Sequence, residues 1–117
     1  MSIFLGLLAG MTLLGQTDAG TLYARDFQGE FAPKGSCAMP TEHWVFTARE
    51  VTQGKIACQV ASLSSQDGHV VVATRNCTKN GQPLPDRHYS LDLMSEDMVK
   101  VQVGETASLL QRCPTNR

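Results

Sequence analysis

The chain has 117 residues, enough for one small domain, and carries ten Lys and Arg against eleven Asp and Glu. Removing residues 1–19, read below as a signal peptide, takes away one acid, Asp18, and leaves ten acidic against ten basic residues. A formally neutral domain lacks the basic excess with which nucleic-acid or anionic-membrane partners are bound, so neither is expected.

Residues 3–14, IFLGLLAGMTLL, form an uncharged apolar run followed by Gly15, Gln16 and the small-residue pattern Thr17-Asp18-Ala19. As a helix the run would span only about 18 Å, short of the roughly 30 Å of a bilayer core. It reads as a signal peptide cleaved after Ala19, although Met1-Ser2 ahead of it carries no Lys or Arg. No cysteine follows closely enough for a lipid anchor, so a mature chain starting at Gly20 is expected to be periplasmic or secreted, with no stable membrane anchor.

From Gly20 to Pro40 the chain reads as irregular, with one short strand or extended arm near Phe31 and a loop, Ala32 to Ser36, leading into Cys37. In residues 43–51, HWVFTAREV, alternation places Trp44, Phe46 and Ala48 on one face of a strand. The single Trp reads as a core anchor rather than a stacking platform.

Residues 55–77, KIACQVASLSSQDGHVVVATRNC, read as a hairpin around which the rest is arranged. Ile56, Cys58 and Val60 share one face, Val70 to Thr74 is β-branched apart from Ala73, and Asp67-Gly68 supplies the tight reversal. Four cysteines allow three connectivities; the hairpin prefers Cys58 with Cys77, leaving Cys37 to Cys113. On loop entropy alone the longer bridge contributes more, about 4 to 5 kcal/mol against about 3. A zinc site made from the four lacks any C-x2-C knuckle. The phase of Cys77 is awkward, because alternation groups it with Val71, Ala73 and Arg75. Either both strand faces are covered or a bulge near Arg75 and Asn76 resets the phase. Asn76-Cys77-Thr78 also fits the N-glycosylation pattern, a short motif that matches often by chance.

Asn80-Gly81 and Pro83-Leu84-Pro85 mark the longest loop. Tyr89, Leu91 and Leu93 then alternate inward, as do Val99, Val101 and Val103 after a turn at Ser95 to Asp97; Gly104-Glu105 reverses the chain again before Ala107 to Cys113. The fold expected is all-β: about six short antiparallel strands in an up-and-down meander, curled into a small barrel or half-barrel and stapled by two disulfides, with little helix.

The order Phe27-x-Gly29-x-Phe31, Cys37, Trp44, Gly54, Cys58, Cys77 and Arg112-Cys113 resembles the small uncharacterised exported four-cysteine proteins of Gram-negative bacteria, a resemblance that implies no activity. A looser likeness is to the small β-barrel inhibitors of secreted peptidases and lysozymes, whose opening Gly-x-Trp strand has Phe31 in place of Trp here. It implies architecture.

Catalytic motifs are wanting. His43, His69 and His88 stand at no diagnostic spacing, and no G-x-S-x-G elbow or phosphate loop occurs. Asp86, His88, Ser90 and Asp92 share a face, but residues two apart on a strand lie about 6.5 to 7 Å from one another, beyond the reach of general-base activation. The function expected is a non-catalytic binding module of the cell envelope, with inhibition of a secreted hydrolase as one form, meeting an envelope or extracellular protein or a small ligand. No cofactor or metal is expected. Its candidate binding residues lie on two polar loops: Gln66, Asp67 and His69 on one, Lys79, Gln82 and Arg87 on the other. The alternative is a small enzyme whose site is assembled from residues distant in sequence.

Overall fold

The computed structural model describes residues 18–114. The expected signal peptide therefore lies outside the described residues except for Asp18 and Ala19, which cap and open a short helical turn, Ala19–Leu22. The chain continues through a π-helical turn, Tyr23–Phe27, and enters β1, Gly29–Pro33. Strands β2 (Trp44–Phe46), β3 (Glu50–Gln53), β4 (Ile56–Gln66), β5 (His69–Lys79), β6 (Gln82–Pro83), β7 (His88–Ser95), β8 (Met98–Val103) and β9 (Thr106–Arg112) follow.

Each strand except β6 pairs antiparallel with its neighbours in the chain, and β9 returns to pair with β1, so eight strands close an up-and-down barrel. Closure leaves no long unpaired edge, the usual hazard of a small sheet. The two-residue β6 only extends the outer side of β5 at Thr78 and Lys79. The barrel, the meander and both disulfides match the fold read from the sequence.

The strand count is higher than about six because the 43–51 segment is two strands rather than one. Alternation stops at Phe46: the Thr47 hydroxyl accepts from the backbone N–H of Arg49 and Glu50 at 3.3 and 3.1 Å, and the chain turns there. Ala48 is consequently exposed, and Val51 takes the next inward place. The residues before β1, read as irregular, make the two helical turns.

The hairpin reverses at Asp67 and Gly68, both with positive φ (53° and 87°), the conformation in which a two-residue turn matches the strand twist. The awkward phase of Cys77 is resolved by a bulge: Gln59 pairs with Arg75 but Ala57 with Thr78, and Asn76 takes φ 53°. The extra residue carries Cys77 inward beside Val70 and Val72, where it bonds Cys58. Cys37 and Cys113 form the second bridge, with Cα atoms 5.5 Å apart. It pins the 34–43 loop against the barrel, where outward-facing Ala32 is fully buried.

Inside, Phe31, Phe46, Trp44 and Tyr89 form a chain of aromatic contacts with centroids 6.0 to 6.4 Å apart, mostly edge to face. Val51, Val70, Val72, Leu91, Val99, Val101 and Leu110 complete the core. Leu93, expected inward, is 42% exposed because it lies near the end of β7, where Met94 is bulged out of the ladder. Outward positions carry Glu50, Gln59, Arg75, Asp92, Lys100 and Gln102, the reverse of a lipid-facing barrel. Among the described residues no helix is long and apolar enough to cross a membrane.

Candidate binding site at the open end of the barrel

The meander gives the barrel two unlike ends. At the end where β1 begins, the helical turns pack against β4 and β7, and Tyr23 and Phe27 enter the core. The Tyr23 hydroxyl donates to the Thr47 carbonyl at 2.6 Å, tying the plug to the β2–β3 turn. Arg112 ties it again from β9. Its guanidinium donates to the carbonyls of Asp26 and Gln28 at 2.7 and 3.0 Å and lies 4.7 Å from the centre of the Phe31 ring. This end is closed.

The opposite end is formed by the β3–β4 and β8–β9 turns, the 80–87 connection and the start of β2. Three hollows open there. One is lined by Leu84, Asp86, Arg87 and Val103 among others, a second by Thr41, Gln53, Lys55 and Lys79 among others. Between them a recess of about 240 Å³ is bounded by Trp44, Gln53, Arg87, Val103, Thr106 and Ser108.

Arg87 lines both the first hollow and the recess. Its backbone is clamped by Thr74, whose N–H and hydroxyl both donate to the Arg87 carbonyl at 2.9 and 2.8 Å, while the Arg87 N–H donates back to that hydroxyl at 3.3 Å. Its Nη2 donates to Gln53 Oε1 at 3.2 Å, and its guanidinium carbon lies 5.5 Å from the centre of the Tyr89 ring. Its Nε is buried and has no partner among the described residues. Among the described residues no carboxylate oxygen comes within 4.0 Å of this guanidinium. Burial pushes the Tyr89 hydroxyl above its ordinary value, with the charge of Arg87 pulling the other way, so the ring is neutral at physiological pH and does not balance the cation.

The two candidate loops fall at opposite ends. Gln66 and Asp67 lie at the tip of the β4–β5 hairpin beyond the closed end, and His69 opens β5, its Nδ1 3.8 Å from Asp92 Oδ1 on the outer surface. Lys79, Gln82 and Arg87 belong to the open end, where Lys79 pairs with Gln82 and both are exposed.

The histidines do not meet. His43 Nε2 lies 2.7 Å from the Cys37 carbonyl, whereas His88 pairs with Ala73, four residues and roughly 13 Å along β5 from His69. Among the described residues no three of His, Cys, Asp and Glu converge to hold a metal. Asn76, the glycosylation candidate, is exposed on the outer wall and donates to Gln59 Oε1 at 2.8 Å.

Gln53, Thr106 and Ser108 were not among the sequence candidates, yet a signal for them exists. Gln53 continues the inward phase of Val51, and Thr106 and Ser108 precede Leu110 in phase, so each is a polar residue where the pattern calls for an apolar one. Trp44 is the core anchor expected of it and also a wall of the recess.

Fold and site together define a small disulfide-stapled antiparallel β-barrel with one plugged and one open end. Comparison with protein-family models, with curated proteins and with solved structures finds no match.

Proposed function

We propose that the mature chain is a non-catalytic binding module of the cell envelope, periplasmic or secreted, which engages its partner through the open end of the barrel. The observation that carries this is the asymmetry of the barrel interior: three hollows and a guanidinium with no carboxylate partner among the described residues gather at one end, while Tyr23 and Phe27 fill the other, where the hollow at Asp97, Gln111 and Arg112 lies outside the core. Two disulfides and a closed ladder hold the rim in place before binding, which reduces the entropy lost when a partner docks. Export is supported by the apolar run ahead of Ala19 and by cysteines paired in disulfides. A secreted hydrolase is the first class of partner to test, since a rigid rim that blocks an active-site cleft needs no chemistry of its own.

The test uses two sets of substitutions. Lys55→Ala, Lys79→Ala and Gln82→Ala together alter the open rim, and Gln66→Ala, Asp67→Ala and His69→Ala together alter the hairpin tip. Binding of each to secreted hydrolases and purified envelope proteins is compared with the parent. Loss in the rim variant alone is expected; loss in the hairpin variant alone would overturn the assignment to the open end, and turnover of a substrate by the parent would overturn the non-catalytic reading.

A further inference from the structure

Arg87 presents a chemical problem that the barrel leaves unsolved. A guanidinium has five N–H donors, and within the described residues the one hydrogen bond of good geometry runs from Nη2 to the neutral amide oxygen of Gln53, with the Tyr89 hydroxyl the other group near enough to feel the cation. Nε has given up water without gaining a partner, a cost that native structures seldom tolerate unless another group supplies the balance. The positive charge is held between an aromatic ring and the recess, and its backbone is fixed by Thr74, so the cation is placed before any ligand arrives.

The recess around it is sorted by polarity. Thr106 and Ser108 offer hydroxyls on one wall, and Trp44 and Val103 offer apolar surface beside them. Its volume of about 240 Å³ falls below the roughly 300 to 1,000 Å³ of sites for drug-sized ligands. A single guanidinium balances a single negative charge, and its planar fork matches the two oxygens of a carboxylate.

We infer that the recess between Arg87 and Thr106 is a carboxylate-binding site, taking the acid group of a small apolar carboxylate on the free Arg87 N–H donors and the two hydroxyls, with the apolar part against Trp44 and Val103. The inference rests on the open end being the binding end and names the ligand chemistry of that end. A free organic acid and the terminal carboxylate of a peptide present the same group, and the experiment separates them.

The mature protein is titrated with 3-phenylpropanoate, with its methyl ester, and with one phenylalanine-terminated tripeptide as acid and as amide, following amide signals and the Arg87 Nε–H signal by NMR. Binding of at least one acid, with the ester and amide weaker by about tenfold or more, is expected, together with movement of the Nε–H signal. Tighter binding of the free acid marks a small metabolite-like ligand; tighter binding of the peptide acid marks a chain end; either supports the site. Gln53→Glu places an internal carboxylate against Nη2 and is expected to weaken acid binding by about tenfold or more while the amide spectrum stays folded. Arg87→Lys keeps the charge, loses the fork and is expected to weaken binding as well. Equal binding of acid and ester, undiminished binding by folded Gln53→Glu and Arg87→Lys, or no response at about 10 mM acid would overturn the inference. Rim-dependent binding of a protein with no carboxylate response refutes this site alone, whereas failure of both refutes the open end as the binding end.

Discussion

Gly29 stands where the chain leaves the plug and enters the barrel, at φ 135°, and a Cβ there would come 3.0 Å from Arg112 Nη1. Gly29→Ala therefore combines backbone strain with displacement of the guanidinium that holds the carbonyls of Asp26 and Gln28. A loss of about 2 to 3 kcal/mol in urea unfolding is expected, and an unchanged midpoint would contradict the role given to Arg112. Asn76 shows the same conformational logic at the bulge, where a short polar side chain tolerates positive φ and a β-branched one does not. Asn76→Gly is expected to stay within about 0.5 kcal/mol of the parent, and Asn76→Val to lose about 2. Tyr23 adds a pH dependence. Burial pushes its hydroxyl above the ordinary value of about 10, so above that pH the unfolded chain releases a proton that the folded chain keeps. Stability is expected to fall as pH rises past about 10, and to fall less steeply in Tyr23→Phe, as urea midpoints across the alkaline range would show. Of these three, the bulge was legible in the phase conflict at Cys77, whereas the strain at Gly29 was not, because Arg112 lies 83 positions away in the chain.

At the level of elements, the hairpin and the last three strands could be read because their alternation runs for six or more residues. The short strands β2 and β3 could not, since three or four residues hold little periodicity and the Thr47 turn is made by a side-chain hydrogen bond. The helical plug escaped notice for a related reason: a nine-residue stretch is too short to display a period, and its burial is decided by the barrel end it covers. Burial also changes the ranking of the two disulfides. Loop entropy favours Cys37–Cys113, which spans 76 positions against 19, by about 1 kcal/mol. Cys58 and Cys77, however, are both fully buried in the core, and replacing both by Ala leaves voids costing about 1 to 2 kcal/mol more. The Cys58→Ala/Cys77→Ala variant is therefore expected to be no more stable than Cys37→Ala/Cys113→Ala. Chemical unfolding of both under identical conditions checks this, and an inner variant clearly more stable than the outer one would mean that the core closes over the lost sulfurs.

At the scale of the whole molecule, the meander fixes which loops share an end, and the helical plug, which the sequence did not reveal, decides which end stays open. Pairing of β5 with β4 and β7 already puts the loops around residues 66 and 82 at opposite ends; the plug then leaves one past a filled end and the other beside Arg87. The polar inward positions Gln53, Thr106 and Ser108 gain meaning only once they are seen to converge on one mouth. Localising a bound partner on the barrel tests the central claim most directly. Amide signals of the isotope-labelled mature protein are recorded before and after adding a protein or carboxylate that it binds. Changes are expected to gather at Gln53 to Lys55, Lys79 to His88 and Val103 to Ser108, with Tyr23 to Phe27 and Ser64 to Gly68 unmoved. Changes centred on the hairpin tip or the plug, with the open end silent, would contradict it.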